Sequence, residues 1–325
     1  MDVKNASMSA ELRCPNPLLT LIIPIYNEEE SIELFYNRGI EVLENQDFRF
    51  EFLFIDDGST DKSINKLQDL SISDNRVKFI KLSRNFGKEA ALTAGLDAVN
   101  SDAIIPIDVD LQDPLEVILE FFTKWQQGFD VVYGLREERV EDSAVKRITA
   151  NWFYKLFNKF SDVKMPENAG DFRIMDRKVV EALRLLPENT RFMKGLFSWV
   201  GFKSTSHTYS RPKRIAGTTK WSHWKLWNFA LDGIFGFSTT PLRLWSYLGG
   251  VIAICSFLYA SILIVRTTIY GISVPGYASL MVVVLFLGGL QLLSIGIIGE
   301  YIGRLMTEAK HRPIYIVEYC SFKDG

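Results

Sequence analysis

Two stretches in the C-terminal part of the chain contain no charged residue and are long enough to cross a lipid bilayer. Leu244–Val265 has 22 residues and Thr267–Gly299 has 33, of which Tyr277–Gly299 is the most apolar part. About 20 apolar residues suffice for a transmembrane helix. A pair of buried core helices is the alternative, but globular helices of this length normally carry a polar face. The sequence therefore predicts a membrane hairpin with spans near residues 244–265 and 277–299.

Basic residues flank the outer ends of this predicted hairpin. They are Arg211, Lys213, Arg214, Lys220, Lys225 and Arg243 before the first span and Arg304, Lys310 and Arg312 after the second, with only Arg266 between the spans. Positive charge near the ends of a span favours the cytoplasmic side. We therefore expect a multi-pass protein of the cytoplasmic membrane, with both termini and the N-terminal domain in the cytoplasm. Residues 1–17 have no apolar core, so we expect no signal peptide there.

Charge and cysteine content argue against several other classes of protein. The chain has 37 basic and 39 acidic side chains, so its net charge gives no reason to expect nucleic-acid binding. The three cysteines, Cys14, Cys255 and Cys320, are far apart and odd in number. They predict neither a disulfide framework nor a zinc site.

Residues 18–135 alternate between apolar strand patterns and helical patterns. Strands are expected at Leu18–Tyr26, Phe50–Ser59, Val77–Ser83, Ala103–Asp110 and Phe129–Leu135. Among the helical patterns between them, Gly87–Val99 is rich in small residues, and Pro114–Gln126 has proline in its first turn. Strands that alternate with helices predict an α/β fold with an open, mostly parallel sheet.

Polar side chains follow four of these predicted strands. They are Asn27 and Glu28, Asp56 and Asp57, Arg84 and Asn85, and Asp108 and Asp110. In open α/β sheets, ligands bind beyond the carboxyl ends of the strands. One such group could be a chance cap, but several of them together predict a shared binding site.

The segment IPIDVDLQDP, Ile105–Pro114, brings three carboxylates behind an apolar strand. Asp108 and Asp110 should point to one side of the extended chain and repel each other unless a cation lies near them. Oxygen ligands favour Mg²⁺ or Mn²⁺, which commonly use one or two carboxylates together with substrate phosphate oxygens. The pair predicts a site for a metal ion and a diphosphate. Asp113 could equally cap the following helix, so we leave it out of the metal set.

Signatures of other phosphate or acyl chemistry are missing from the sequence. There is no G-x-x-x-x-G-K-[ST] loop, no G-x-G-x-x-G after the first strand and no G-x-S-x-G elbow. The histidines His207, His223 and His311 are scattered, and none is favoured as a catalytic residue. A P-loop nucleotidase, a dinucleotide-binding fold and a serine hydrolase are therefore not supported.

Residues 136–220 break the alternation, with helical patterns at Val145–Phe160 and Val179–Leu186, and they predict an extension of the same domain. Beyond them, Trp221, Trp224 and Trp227 recur at helical spacing within Trp221–Ser238. This pattern favours a helix in the membrane interface over a core helix under the sheet. The basic residues around it would attract anionic lipid headgroups.

Six motifs occur in the order PIYNEEESI, IDDGSTD, SRNFGKEAAL, DVDLQDP, GDFRIMDR and RIAGTTKW. With them, the chain resembles the polyprenyl-phosphate glycosyltransferases of glycosyltransferase family 2, which are inverting enzymes similar to dolichyl-phosphate mannose synthases. The two predicted spans, which end in GIIGEYIGR, look most like those of bacterial bactoprenol glucosyltransferases. The resemblance runs from Leu18 to Arg312. It implies a GT-A fold, which is the Rossmann-like fold of nucleotide-diphospho-sugar transferases.

The resemblance also implies residue roles. The nucleotide-sugar pocket would contain Pro24, Tyr26, Asn27, Glu28, Asp57 and Asp108. The metal would be held directly by Asp110, with Gln112 and Asp108 beside it, and Asp108, Asp110 and Arg173 would be catalytic. The acceptor phosphate would be bound by Arg136, Arg147, Arg173, Arg214 and Lys220. Lys88 stands where many relatives have histidine or glutamine, so its role is open.

These inferences predict a membrane-anchored inverting hexosyltransferase that uses Mg²⁺ or Mn²⁺. It would move a hexose, glucose by family likeness, from a UDP-sugar to undecaprenyl phosphate at the cytoplasmic face of a bacterial inner membrane. The product would serve the modification of O-antigen (lipopolysaccharide) or another envelope glycan, and a homo-oligomer such as a tetramer is a further hypothesis. The alternatives are another donor sugar or lipid acceptor, a non-catalytic membrane protein that binds sugar nucleotides, and a subunit of a sugar flippase.

Five segments are expected along the chain. They are an N-terminal tail at 1–17, a cytoplasmic GT-A catalytic domain at 18–220, an amphipathic interfacial helix at 221–241, the transmembrane hairpin at 242–303 and a cytoplasmic C-terminal tail at 304–325. The boundaries follow the start of the first strand, the end of the basic RIAGTTK segment, and the two uncharged stretches.

Overall fold

The computed structural model describes residues 13–137, 164, 166, 169–189, 191–210, 240–270 and 276–322. Several predictions fall outside these residues. They are the helix at Val145–Phe160, the interfacial helix at Trp221–Ser238, and the acceptor-phosphate candidates Arg147, Arg214 and Lys220.

The strands of the described chain form one sheet of eight, in the order β7-β5-β6-β4-β1-β2-β3-β8. Their bounds are β1 Leu18–Ile25, β2 Arg49–Asp56, β3 Val77–Leu82, β4 Ala103–Pro106, β5 Val131–Arg136, β6 Ala169–Asp176, β7 Ser204–Tyr209 and β8 Val317–Cys320. The helices are α1 Ile32–Leu43, α2 Ser63–Ser73, α3 Lys88–Ala98, α4 Val117–Gln126, α5 Arg177–Arg184, α6 Met193–Trp199, α7 Thr240–Tyr270 and α8 Tyr277–Ala309.

The centre of the sheet is parallel and is covered on both faces. β1 pairs in parallel with β2 and β4, and β2 pairs in parallel with β3. One face packs against α1 and α4 through a cluster that includes Phe35, Phe121 and Trp125. The other packs against α3, α5 and α6 through Leu92, Leu183 and Leu196. The predicted α/β fold with an open, mostly parallel sheet is therefore confirmed.

Strand β6 departs from the simple alternation, because it lies between β4 and β5 and runs antiparallel to both. Its last residue, Asp176, pairs with Ala103 at the start of β4. An antiparallel strand begins where its parallel neighbours end. The first residues of β6, Ala169 to Asp171, consequently lie at the edge of the sheet where β4 and β5 finish.

The two predicted membrane spans are both helical in the structure, in α7 and α8. Their described side chains include many exposed large apolar residues, such as Phe257, Leu292 and Leu305. Within the residues that the structure describes, one segment, Phe286–Ala309, is long and apolar enough to cross a membrane.

After α8 the chain returns to the sheet, which the sequence analysis did not foresee. β8 pairs antiparallel with β3 and forms one edge of the sheet. The Tyr315 hydroxyl donates to Asp97 Oδ2 at 2.9 Å, and Lys81 Nζ lies 2.8 Å from Glu318 Oε2. At the end of α8, Glu308 accepts hydrogen bonds from the backbone N–H of Asn189. The C-terminal segment therefore packs on the α/β domain.

Candidate active site

The loops that follow β1 and β2 interlock at the carboxyl edge of the sheet. Asn27 N donates to Ser59 Oγ at 2.9 Å, and Thr60 N donates to Asn27 Oδ1 at 2.8 Å. Glu28 N donates to Ser63 Oγ at 3.1 Å. Asn27 has φ 52°, a left-handed conformation that asparagine tolerates better than most residues. Two of the residues predicted to line the nucleotide pocket, Asn27 and Glu28, are thus fixed against the loop that contains the DDGS turn.

The carboxylate of Asp57 ties this turn to the next loop. It is buried and accepts hydrogen bonds from Phe86 N at 2.7 Å and Gly87 N at 2.9 Å. Burial raises the pKa of Asp57, and the two backbone donors counteract only part of that effect. Gly58, between the two loops, has φ 70°, and a Cβ there would lie 2.5 Å from the backbone carbon of Arg84. Asp57 therefore organises the pocket, and its contact with a base or ribose stays a prediction.

The DVDLQ segment leaves β4 beside the end of β1, where Ile107 N donates to Ile22 O at 3.0 Å. Val109 is buried, whereas Asp108 and Asp110 are partly exposed, as expected for carboxylates that point to the same side. Leu111 has φ 54°, an unusual conformation for leucine, and Asp110 Oδ1 accepts a hydrogen bond from Gln112 N at 3.2 Å. Strained backbone of this kind is concentrated at functional sites.

Lys88, whose role the sequence left open, lies between two carboxylates. Its Nζ is 2.6 Å from Asp108 Oδ1 and 2.9 Å from Asp171 Oδ2. Burial alone would lower the pKa of Lys88, but the charges of Asp108 and Asp171 outweigh burial and raise it. Sequence reasoning missed Asp171, and the only signal for it was its place in the GDFR motif.

Glu89 lies next to this ion-paired group. Its Oε2 accepts a hydrogen bond from Met193 N, the first residue of α6, at 3.3 Å. Burial and the nearby charge of Asp171 raise the pKa of Glu89 to about 8, although Lys88 opposes the shift. An acidic side chain that the sequence analysis did not select therefore joins the site to α6.

Arg173, predicted to face the acceptor phosphate, is 5% exposed, and its guanidinium makes contacts within the domain. It donates to Gly170 O at 2.7 Å and lies over the ring of Phe197, 4.0 Å from the centroid. Burial lowers the pKa of Arg173 to about 10. The structure thus places the guanidinium of Arg173 next to Gly170, near the start of β6. Its contact with a phosphate stays a prediction.

Asp113 and Arg136 form a second charged group near β5. The Tyr209 hydroxyl donates to the buried Asp113 Oδ1, and Arg136 Nη2 lies 3.5 Å from the same oxygen. Burial would lower the pKa of Arg136, but the charge of Asp113 prevails and raises it. The N-cap residue of α4 is Glu116 rather than Asp113. Asp113 therefore lies ahead of the N-cap of α4, and its carboxylate anchors Arg136.

The side chains predicted to bind the metal, Asp110 and Gln112, offer oxygen ligands, which suit a hard divalent cation. Across the described ranges, no three His, Cys, Asp or Glu side chains are grouped to hold a metal ion. A site with Asp110 and Gln112 as its protein ligands would take its remaining oxygens from a diphosphate and water, as Mg²⁺ sites commonly do. The donor set fits a metal ion that binds together with a sugar nucleotide.

The site therefore combines an acidic turn after β4 with interlocked loops after β1 and β2, on a mostly parallel sheet. A strand of opposite direction, β6, brings further charged groups to the same edge. This is the arrangement of glycosyltransferases with the GT-A fold.

Comparisons with known proteins agree with this class. The profile of glycosyl transferase family 2 matches residues 20–184, and that of the GtrB C-terminal hairpin matches residues 240–305. The chain belongs to glycosyl transferase family 2, and the family resemblance and the prediction of a glycosyltransferase are confirmed.

Similar proteins cover most of the chain. An uncharacterized glycosyltransferase of Synechocystis is 52% identical over 299 residues, which are 92% of this chain and 94% of that protein. The bactoprenol glucosyl transferase of Shigella phage SfV is 51% identical over 300 residues, 92% of this chain and 98% of that protein. A prophage bactoprenol glucosyl transferase homolog of Escherichia coli is 52% identical over the same shares of the two chains.

Proposed function

We propose that this protein transfers glucose from UDP-glucose to undecaprenyl phosphate, with inversion at the anomeric carbon. The observation that carries the proposal is the Asp110 turn at the end of β4, beside the interlocked loops after β1 and β2. The bactoprenol glucosyl transferases that match the chain over 92% of its length support both the sugar and the lipid.

In this proposal Asp110 and Gln112 hold Mg²⁺ or Mn²⁺ against the donor diphosphate. When bound, the metal ion neutralises the developing charge of the leaving diphosphate as a Lewis acid. The strained turn at Leu111 fixes the Asp110 carboxylate, so that its geometry is set before the donor arrives. The loops at Asn27–Glu28 and Asp56–Ser59 would enclose the nucleotide.

An acceptor phosphate is already anionic, so its attack on the anomeric carbon needs little help from a general base. The protein must instead hold two negatively charged partners close together. Arg136 is suited to this task, because its side chain is 30% exposed while Asp113 and Tyr209 hold its guanidinium in place. An arginine can form two parallel hydrogen bonds to a phosphate.

We further propose that α7 and α8 both cross the membrane, with the catalytic domain in the cytoplasm. The exposed apolar side chains of both helices support this arrangement, since an apolar surface of this size needs lipid or protein to cover it. A membrane-impermeant maleimide should label the exposed Cys14 only after the cells are permeabilised. Labelling of Cys14 in intact cells would contradict the topology.

Transfer can be tested with radiolabelled UDP-glucose and undecaprenyl phosphate, with and without EDTA. Asp110→Asn should lower the rate about 100-fold or more, the scale expected for loss of a charge-stabilising group, with the melting temperature unchanged. Asp69→Asn, an exposed position in α2, is the matched control and should keep full activity. Near-normal transfer by the Asp110→Asn variant would overturn the assignment of Asp110 as a metal ligand. Preferential transfer from another UDP-sugar would overturn the assignment of glucose as the transferred sugar.

A further inference from the structure

The ammonium group of Lys88 contacts two acidic side chains that come from different parts of the sheet. Lys88 is the first residue of α3, Asp108 follows β4, and Asp171 lies in β6. The two carboxylate oxygens are both within 2.9 Å of the same ammonium nitrogen. The three side chains are between 18% and 35% exposed, so the group is open to ions from solution.

The charges of Lys194 and Arg173 also act on Asp171, but Lys88 is the cation in direct contact with both Asp108 and Asp171. Two carboxylates, Asp108 and Asp171, meet at its ammonium group, and Asp171 Oδ1 is buried with no hydrogen-bond partner in the described chain. Two carboxylates that converge on one point repel each other unless a cation lies between them. Oxygen atoms in this arrangement are also the ligands that divalent cations prefer. A cation between Asp108 and Asp171 relieves this repulsion, and in the structure Lys88 supplies it.

We propose that Lys88 is a positioning residue whose ammonium group takes the place of a metal ion between Asp108 and Asp171. The inference rests on the proposed function, because it assigns the catalytic metal to Asp110. The ammonium group of Lys88 fills the position between Asp108 and Asp171. A divalent cation therefore binds only at Asp110, where the donor diphosphate supplies its remaining ligands. Lys88 thus excludes a second, unproductive metal position from the site.

The test measures Mn²⁺ binding to the purified full-length enzyme in detergent, without donor, by electron paramagnetic resonance. In Lys88→Gln the freed pair of carboxylates should bind an additional Mn²⁺ ion, and tight binding should increase about 10-fold or more over the unmodified enzyme. A second substitution, Asp171→Asn, should remove that additional ion from the Lys88→Gln enzyme. Lys88→Arg, which keeps the charge, should bind Mn²⁺ as the unmodified enzyme does.

A matched control removes a lysine of the same domain that lies away from the site. Lys178 pairs with Asp130, at 2.8 Å, and Lys178→Gln should leave Mn²⁺ binding and transfer unchanged. Lys88→Met is measured in parallel, because either variant could have a folding defect, which a lower melting temperature would reveal. The result is then read from the variant that folds normally. An additional ion in neither Lys88 variant would overturn the inference, as would an additional ion that persists after Asp171→Asn.

The same proteins separate this inference from the proposed function. If the unmodified enzyme transfers glucose but the Lys88 variants bind no additional Mn²⁺, the inference alone fails. If the variants gain the ion and the unmodified enzyme transfers no glucose to lipid phosphate, the inference about the charge pair holds and the proposed function fails. Where both hold, the turnover number of Lys88→Gln should fall and Lys88→Arg should restore it.

Discussion

Individual acidic residues in the site are stabilised by different counter-groups, and this explains how so many of them coexist. Asp57 is held by backbone N–H groups, Asp113 by a tyrosine and an arginine, and Asp171 by Lys88. Each of these acids is fixed by groups from another part of the fold. Asp110 lies in a strained turn, and in the proposed function it would meet a cation that comes with the substrate.

Removing the Tyr209 hydroxyl should destabilise the domain. Tyr209→Phe leaves the buried Asp113 carboxylate without one of its donors, at a cost of about 1–3 kcal/mol in the free energy of unfolding. The melting temperature should fall by several degrees in differential scanning fluorimetry. Tyr36→Phe removes a similar bond to Asp74, but at a more exposed place where Arg76 also pairs with Asp74, and should cost less. Equal effects of the two variants would show that burial of Asp113 is not the cause.

Glu89 should make stability depend on pH. Its pKa in the folded protein is about 8, above the ordinary value of 4.5, so the folded state favours the protonated acid. The stability that Glu89 contributes is therefore present below pH 4.5 and is lost as the pH rises through 8. Glu89→Gln should flatten the fall of melting temperature across that window, whereas Glu33→Gln, an exposed control on α1, should not. Parallel curves for Glu89→Gln and the unmodified protein would contradict the raised pKa.

Among the elements, those built from local patterns were predictable and those built from distant pairing were not. The buried strands β1 to β4 and the helices between them follow from apolar runs and helical spacing. The place of β6 between β4 and β5 depends on pairings with strands far away in the sequence, and no local pattern records them. The same holds for the contacts of Lys88 with Asp108 and Asp171. The sequence thus predicted the acids of the β4 turn but not the pairing of Asp108 with Lys88.

The edge strand β8 is short, so its stability should depend on a few hydrogen bonds to β3. Ser321 N donates to Phe79 O at 3.0 Å, and Phe79 N donates to Ser321 Oγ at 2.8 Å. Ser321→Pro removes both bonds and should lower the melting temperature clearly, while Ser321→Ala removes only the second and should cost about 1 kcal/mol. Limited proteolysis should release the C-terminal segment faster in Ser321→Pro. Equal resistance of the proline variant and the unmodified protein would mean that β8 is held by its side chains alone.

Over the whole molecule, the end of α8 is linked to the active site through α6. Glu308 accepts bonds from Asn189 N at 3.0 Å and Asn189 Nδ2 at 3.2 Å. The next helix, α6, contacts the site twice, since Met193 N donates to Glu89 and the Phe197 ring lies against Arg173. These contacts link the end of α8 to the site around Glu89 and Arg173, where in the proposed function a lipid-borne phosphate would meet the donor.

Glu308→Ala should therefore impair transfer to the lipid without impairing donor binding. The substitution releases the loop before α6 from α8. A small misplacement of the acceptor relative to the donor strongly lowers the rate of transfer. We therefore expect the transfer rate in proteoliposomes to fall about 10-fold or more. Binding of UDP-glucose, measured by calorimetry, should stay within about 2-fold, because the hydrogen bonds that join the donor loops after β1 and β2 are made between residues of those loops. Glu300→Ala is the matched control, because Glu300 pairs with Arg304 on the same helix and should affect transfer little. An equal loss of donor binding and transfer in Glu308→Ala would point to general unfolding of the domain. An unchanged transfer rate would show that β8 alone fixes the catalytic domain to the hairpin.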